Sequence, residues 1–296
     1  MYYLWRNNLS TLRTIFRNIL DFYLYSGFHI AIAAVCFILQ LDIIFDLPPD
    51  YHYLLFIFAS TSFLYLLHNI LGLNTLLPQC VREKVSRISR MRGVLIFFLI
   101  VMGIISLYSF FNLSTSTMGL LIIFALISLW YVVPFLGNGK RLRDYPLIKI
   151  FLIALVWAAI SCIIIFPQID ISIFQKALIY LERFLIVFAI TVPFDIRDME
   201  YDKAKGLKTL PLILGKLQSI KLAVLSVVAA LGIVLYLYQS NVYNTRSLVA
   251  LTIAYTLVII MIIYSKDKES DYYYTGMLDS TAIIVYSTLL LTGLFV

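Results

Sequence analysis

The stretch Asp195–Gly215 reads DIRDMEYDKAKGLKTLPLILG and lies between two long apolar runs. Its carboxylates Asp195, Asp198 and Asp202 are spaced at i, i+3 and i+7, so a helix here would carry all three on one face. Carboxylates on one face repel each other and require a compensating cation. Their oxygens suit Mg²⁺, which binds one or two protein carboxylates together with the oxygens of a substrate phosphate. The spacing therefore predicts a magnesium and phosphate site.

Basic and turn-forming residues follow these carboxylates. Lys203, Lys205 and Lys208 are placed to face a bound phosphate. Gly206 and Pro211 predict that the helix stops and a turn begins. The spacing alone also fits a solvated loop of mixed charge between two buried helices. The rest of the chain has to distinguish these two interpretations.

Composition identifies the class of protein. The chain has 296 residues, of which 62% are hydrophobic and 13% charged, and its mean hydropathy is +0.94. Soluble domains carry about a quarter charged residues, so these values predict an all-α polytopic membrane protein. The net charge of +7 then belongs to loops and lipid head groups and does not indicate nucleic-acid binding. Cys36, Cys80 and Cys162 are far apart, which argues against a disulfide framework or a zinc site.

Nine apolar runs are long enough to span a bilayer. Residues 1–20 are basic and amphipathic and predict an interfacial helix before the first span, within a single transmembrane domain over residues 1–296. The predicted spans are 24–41, 52–73, 94–112, 118–136, 147–166, 177–195, 219–239, 247–264 and 277–295.

The basic residues orient the predicted bundle. Twenty of the 23 lysines and arginines fall in the N-terminal arm and the loops of one side, while Lys176 and Arg246 fall on the other and Arg183 lies within the sixth span. The positive-inside rule places the N-terminus in the cytoplasm and the C-terminus outside. A bacterial inner membrane is the expected location, with a eukaryotic organelle as the alternative.

Polar residues also mark the end of the second span, on the same predicted side as Asp195. Tyr65, His68 and Asn69 lie at i, i+3 and i+4 and share one helix face. Each fits a hydrogen-bonded core residue or a ligand-binding residue opposite the acidic stretch. His29 fits a structural role, and Asp279 fits a helix cap or a contact to a basic loop. Glu182 and Arg183 fit a structural pair near the outer side or partners at the membrane interface.

The acidic stretch resembles the second Asp-rich motif of the UbiA superfamily of intramembrane prenyltransferases, including its trailing G-x-x-T-L-P. Tyr131-Val-Val-Pro134, with Lys140 and Arg143 beyond it, is similar to that family's Y-x-x-P stretch. The first Asp-rich motif, N-x-x-x-D-x-x-x-D, is not intact. If Asn69 is its Asn, both Asp positions are occupied by leucine, at Leu73 and Leu77.

The resemblance implies nine transmembrane helices around a central cavity and a Mg²⁺-dependent transfer of a prenyl group from a polyprenyl diphosphate to an aromatic or other lipid-precursor acceptor. By this resemblance Asp198 and Asp202 hold Mg²⁺, with Asp195 ligating or orienting, and Asn69 joins the two as catalytic. The implied substrate-binding residues are Tyr65, His68, Asn69, Arg90, Arg92, Tyr131, Lys140, Arg143 and Lys205.

Two other classes of function stay open at this point. The loss of the first motif favours a UbiA-like protein without transferase activity, which binds an isoprenoid lipid or acts as a membrane scaffold. A transporter should instead carry its acids in mid-span, whereas these acids follow the end of a span. The acceptor, the prenyl chain length and the oligomeric state are not encoded in any pattern that we recognise.

Overall fold

The structure is a computed structural model, and it describes residues 16–72, 89–133, 142, 145, 147–204, 206–268 and 270–294. Within these ranges all regular secondary structure is helical, as the composition predicts. Residues 1–15 of the predicted interfacial helix lie outside the described ranges. So do the leucines of the degenerate first motif and three predicted substrate-binding residues, which are Leu73, Leu77, Lys140, Arg143 and Lys205.

Twelve α-helices follow one another in the described part of the chain. In order, α1 to α12 are Phe16–Tyr25, Phe28–Ile44, Tyr51–Gly72, Arg92–Phe111, Thr115–Val132, Ile148–Cys162, Ile173–Arg197, Met199–Ala204, Leu210–Leu214, Lys216–Gln239, Thr245–Tyr264 and Thr281–Thr292. A 3₁₀ turn, Ser265–Asp267, and a π-helical segment, Tyr273–Leu278, connect α11 to α12.

The described residues contain seven helices that are long and apolar enough to cross a membrane. The pair α1 and α2 forms an eighth if it is one span bent by 55° at Gly27. Helix α6 is apolar but has only 15 residues. Each of the nine predicted runs coincides with a helix, but these lengths do not confirm a count of nine spans.

Side-chain caps explain where several of these helices begin. Ser172 forms a capping box with Gln175 at the start of α7, and each side chain accepts from the other's backbone N–H. Ser114 and Asn244 accept from backbone N–H groups in the first turns of α5 and α11. These caps fix the ends of the helices that carry the cavity residues.

Six helices pack in a closed ring in the order α2, α12, α11, α10, α7 and α6. Helices α3 and α5 flank the ring where α6 meets α2, and α4 packs on the outside of α3. Small residues are buried along the helices of the ring, and such residues allow close approach of helix backbones in membrane bundles. They include Ala33, Ala34, Ala154, Ala158, Ala189, Ala223, Ala230, Ala250 and Ala254, all buried.

A buried polar network crosses the ring. Arg183 and Glu182 of α7 are each 2% exposed. Arg183 Nη1 donates to Gln40 Oε1 at 2.5 Å, and its guanidinium lies 4.3 Å from the ring centre of Phe37. Tyr255 donates its hydroxyl proton to Glu182. The predicted structural pair therefore connects α7 to two other helices: Arg183 bonds to α2 and Glu182 to α11.

The acidic stretch is broken where the spacing allowed one continuous helix. Helix α7 ends at Arg197, Asp198 is its C-cap, and α8 begins at Met199. Gly206 has a φ of +67°, a left-handed conformation that stops α8, and Pro211 lies in the first turn of α9. The predicted stop and turn are confirmed, whereas the carboxylates are divided between two helices and the cap between them.

Candidate active site

A cavity of about 310 Å³ lies among α2, α3, α5, α6, α7 and α12. Most of its wall is apolar and includes Ile30, Ala33, Ile153, Val156, Trp157 and Ile186. Polar and charged side chains gather at one end, which we call the acidic end. It is formed by Asp195, Asp198 and Asp279 together with the residues around them. The cavity therefore combines a long apolar section with a charged end.

The acidic end brings together residues from two separate predicted groups. Asp195 and Asp198 line it from the end of α7. Tyr65, His68 and Asn69 line it from the last turns of α3. Tyr131 of α5 also contributes to the wall of the cavity. The two faces that the sequence placed on the same side of the membrane thus meet around one space.

Other predicted residues lie elsewhere. Asp202 is buried on α8, with 4% exposure, and lies outside the described lining of the cavity. Its backbone N–H donates to the Asp198 carbonyl at 2.9 Å, so the two residues are one helical turn apart. Arg90 and Arg92 are exposed near the start of α4 and also lie outside that lining.

Lys149 on α6 was not singled out from the sequence as a site residue, yet it lines the cavity. Its Nζ lies 2.5 Å from Asp195 Oδ1. The carboxylate of Asp195 is 2% exposed and the lysine side chain 14%. Asp195 is therefore engaged with a cation of the protein itself, which weakens the expectation that it is a metal ligand.

Arg197 organises the other carboxylates at this end. It donates to Asp198 through Nε at 2.8 Å and Nη2 at 3.3 Å, and to Asp271 through Nη1 at 3.2 Å. Its guanidinium also lies 5.1 Å from the ring centre of Tyr274, and Asp279 is near enough to interact with its charge. One arginine thus joins the end of α7 to the segment before α12.

Asn69, the one polar residue left from the degenerate motif within the described residues, is held by a backbone contact. Its Nδ2 donates to the carbonyl oxygen of Tyr25 at 2.8 Å, which joins α3 to α1. This bond fixes the orientation of the amide. Asn69 also lines the cavity.

His29 is a cavity residue that sequence reasoning treated as structural. Its Nε2 lies 3.0 Å from the Gly276 carbonyl, which only accepts, so Nε2 carries the proton and Nδ1 accepts from Tyr23 at 2.9 Å. The Ser280 hydroxyl donates to the same carbonyl and lies 3.1 Å from Nε2, next to the π-helical segment. Both ring nitrogens are thus engaged in hydrogen bonds within the protein, which agrees with a structural role for His29. No pattern in the sequence reveals that the ring also borders a cavity.

Carboxylates and cations alternate at the acidic end. Four carboxylates (Asp195, Asp198, Asp271, Asp279) surround two cations, Lys149 and Arg197, among the described residues. In the described ranges, no three His, Cys, Asp or Glu side chains form a group that could hold a metal. Mg²⁺ commonly binds through one or two carboxylates, with water and the oxygens of a substrate phosphate as its other ligands.

Comparison with known proteins identifies the family of this fold. The model of the UbiA prenyltransferase family matches residues 81–278, more than half of the chain. No protein with a curated description matches the chain.

Solved structures share the architecture at low identity. A UbiA homologue from Archaeoglobus fulgidus bound to GPP and Mg²⁺ is 15% identical, with a TM-score of 0.60 over 91% of this chain and 99% of the homologue. A digeranylgeranylglyceryl phosphate synthase is 16% identical, with a TM-score of 0.54 over 95% and 100% of the two chains. The apo UbiA homologue from Aeropyrum pernix K1 is 14% identical, with a TM-score of 0.57 over 90% and 96%. At these identities the likeness concerns the fold.

Proposed function

We propose, because the chain belongs to the UbiA prenyltransferase family, that it transfers a prenyl group from a polyprenyl diphosphate to an aromatic or other lipid-precursor acceptor within the membrane. The observation that carries this proposal is the single cavity with an apolar section and one charged end. Hydrocarbon is favoured in the apolar section, while a diphosphate requires the cations and metal ligands of the acidic end.

Mg²⁺ is the proposed cofactor. The homologue from Archaeoglobus fulgidus was solved with both GPP and Mg²⁺, which supports the same ligand classes for this chain. Asp198, which lines the cavity, and Asp202, one turn later, are the carboxylates that we propose to hold the ion. When bound, it would neutralise charge on the leaving diphosphate.

The chain's own residues would control the intermediate. When the C–O bond to the diphosphate breaks, its electron pair leaves with the diphosphate and an allylic cation remains in the cavity. Tyr65, Tyr131 and Trp157 line this space, and aromatic faces stabilise cations. The apolar wall keeps water away, so that the acceptor attacks the cation and loses its proton. Arg90, Arg92, Lys140, Arg143 and Lys205 stay proposed diphosphate-binding residues.

The acidic end is proposed to face the cytoplasm. Support comes from the charge distribution, since the loops on that side carry most lysines and arginines. In this orientation a soluble cytoplasmic supply of Mg²⁺ and diphosphate reaches the cavity directly, and a bacterial inner membrane is the proposed location.

A UbiA-like protein that binds an isoprenoid lipid without transferring it is the second candidate. Two observations favour it. Leucines stand at the two Asp positions of the first motif, and the cavity carboxylates Asp195 and Asp198 are both paired with cations of the protein. Such a protein would bind the hydrocarbon but would not need Mg²⁺.

Binding of a geranylgeranyl thiodiphosphate, which resists ionisation, to the purified chain separates these candidates. We expect Mg²⁺-dependent binding that is lost in the Asp198→Asn/Asp202→Asn double variant. Asp170→Asn, an exposed aspartate between α6 and α7, is the matched control and should bind as the wild type does. Binding that does not depend on Mg²⁺ and is unchanged in the double variant would favour the lipid-binding protein. Turnover assays with candidate acceptors would then show no product.

A further inference from the structure

The Lys149–Asp195 ion pair offers the cavity a fixed cation. Lys149 belongs to α6 and Asp195 to α7, 46 positions later, and both line the acidic end. Asp195 Oδ1 lies 2.5 Å from Nζ and is almost completely buried. The ammonium therefore has a defined position, and it borders the space in which the proposed diphosphate would lie.

The start of α6 adds to the positive electrostatic potential around this cation. Lys149 is in the first turn of α6, where the backbone N–H groups point toward the cavity end and carry the positive end of the helix dipole. That turn has no side-chain cap and no acidic residue. A lysine is electrostatically unfavourable in such a position. Asp195 offsets part of this cost, and an anionic ligand would offset more.

We infer that Lys149 binds the diphosphate of the prenyl substrate, with Asp195 as its positioning residue. This inference rests on the proposed function and adds a residue to it. An ammonium carries three N–H donors, so its bond to Asp195 is compatible with a bond to a phosphate oxygen. As the carbon–oxygen bond breaks, the electron pair moves onto the diphosphate. The nearby ammonium stabilises the negative charge that develops there.

The degenerate first Asp-rich motif increases the need for a cation of the protein at this end of the cavity. The leucines at 73 and 77 cannot bind a cation, so the diphosphate has fewer metal contacts than two intact motifs would supply. A protein cation supplies positive charge at the same end without a metal ligand. Asp195 then serves the site as the counterion of Lys149, and the metal ligands are left to the second half of the acidic stretch.

Three variants test the inference with two ligands, geranylgeranyl thiodiphosphate and uncharged geranylgeraniol. Lys149→Met removes the charge, Lys149→Arg keeps it, and Lys149→Met/Asp195→Asn removes both partners of the pair. Lys176→Met is the matched control, because Lys176 Nζ donates to the Phe166 carbonyl at the other end of the bundle. Dissociation constants are measured with and without Mg²⁺, and thermal unfolding checks that each variant is folded.

We expect Lys149→Met to weaken thiodiphosphate binding about tenfold, the effect of losing one charge-assisted hydrogen bond. Geranylgeraniol binding should be unchanged, and Lys149→Arg should stay close to wild type. The double variant should be as weak as Lys149→Met, even if Lys149→Met alone is poorly folded because it leaves a buried carboxylate.

Restored thiodiphosphate binding in the double variant would overturn the inference, because the lysine would then serve only to neutralise Asp195. Equal binding by wild type and Lys149→Met would overturn it as well, while leaving the proposed function in place. A wild-type chain that binds no thiodiphosphate at all would instead remove the proposed function, and the inference with it.

Discussion

Arg197 and Asp198, neighbours in the chain, form a two-bond ion pair at the end of α7, with N–O distances of 2.8 and 3.3 Å. The same guanidinium reaches Asp271, 74 positions later, at 3.2 Å. Since Asp198 is also the C-cap of α7, both its backbone and its carboxylate are fixed. The orientation of the proposed metal ligand therefore depends on this arginine.

Replacing Arg197 by lysine should weaken Mg²⁺-dependent binding of the thiodiphosphate about tenfold. A lysine ammonium is a point charge and cannot make the two parallel bonds that hold Asp198 while also reaching Asp271. Titration of the analogue at fixed Mg²⁺ measures the effect. Asp271→Asn is the control, because it removes only a partly exposed partner and should change the dissociation constant less than about fivefold. Equal losses in both variants would contradict a special role of the Asp198 contact.

Replacing Asp198 and replacing Asp195 should change the Mg²⁺ requirement of analogue binding to different extents. We expect Asp198→Asn to raise the Mg²⁺ concentration for half-maximal analogue binding more than about tenfold, because it removes a charged oxygen ligand. Asp195→Asn should raise it less than about twofold, since Asp195 is engaged with Lys149. Mg²⁺ titrations of the two variants make the comparison. A large increase of this Mg²⁺ concentration in Asp195→Asn would show that Asp195 is a metal ligand after all.

The helices and the meeting of the two polar faces were predictable from the sequence. Bilayer thickness sets the length of each apolar run, and the alternation of basic loops places the ends of the second and sixth spans on one side. Asn69 and Asp195 therefore had to end near the same membrane surface, and the cavity confirms that they border one space.

The pairing inside that space was not predictable. Whether Lys149 faces Asp195 depends on the rotation of α6 about its axis, which hydropathy does not fix in a helix that is apolar all round. The break after Arg197 was also hidden, because i, i+3 and i+7 spacing fits a continuous helix and a capped one equally well. The bond from His29 of α2 to the Gly276 carbonyl was hidden as well, because the π-helical segment that carries this carbonyl has no sequence signature.

Arg183→Met should destabilise the bundle by about 3–5 kcal/mol, the usual effect of removing one partner from a buried charged network. Gln40 would lose a bond of 2.5 Å, and the buried carboxylates Glu182 and Asp42 would lose a nearby cation. Thermal unfolding in detergent, followed by tryptophan fluorescence, measures the change. Lys176→Met, in the same helix but bonded only to the Phe166 carbonyl, should shift the midpoint much less. Equal midpoints for the two variants would show that the network contributes no stability.

The bend between α1 and α2 depends on Gly27, and its position against Tyr65 links that bend to the cavity wall. Gly27 has a φ of +80°, and a Cβ built on it would lie 2.6 Å from the Tyr65 Cβ. Gly27→Ala should therefore cost about 1–2 kcal/mol for the left-handed backbone alone. The clash should also displace Tyr65, so that analogue binding weakens together with the unfolding midpoint.

Gly232→Ala is the matched control for this substitution. Gly232 lies in α10 on the exposed surface, and a Cβ there would meet nothing within 4 Å. Because alanine is the better helix former by about 1 kcal/mol, this variant should be at least as stable as wild type and should bind the analogue equally well. Unfolding midpoints and dissociation constants for the two variants decide the matter. If Gly27→Ala matched Gly232→Ala in both measurements, the α1–α2 bend would tolerate a side chain, and the close approach of Gly27 to Tyr65 would not shape the site.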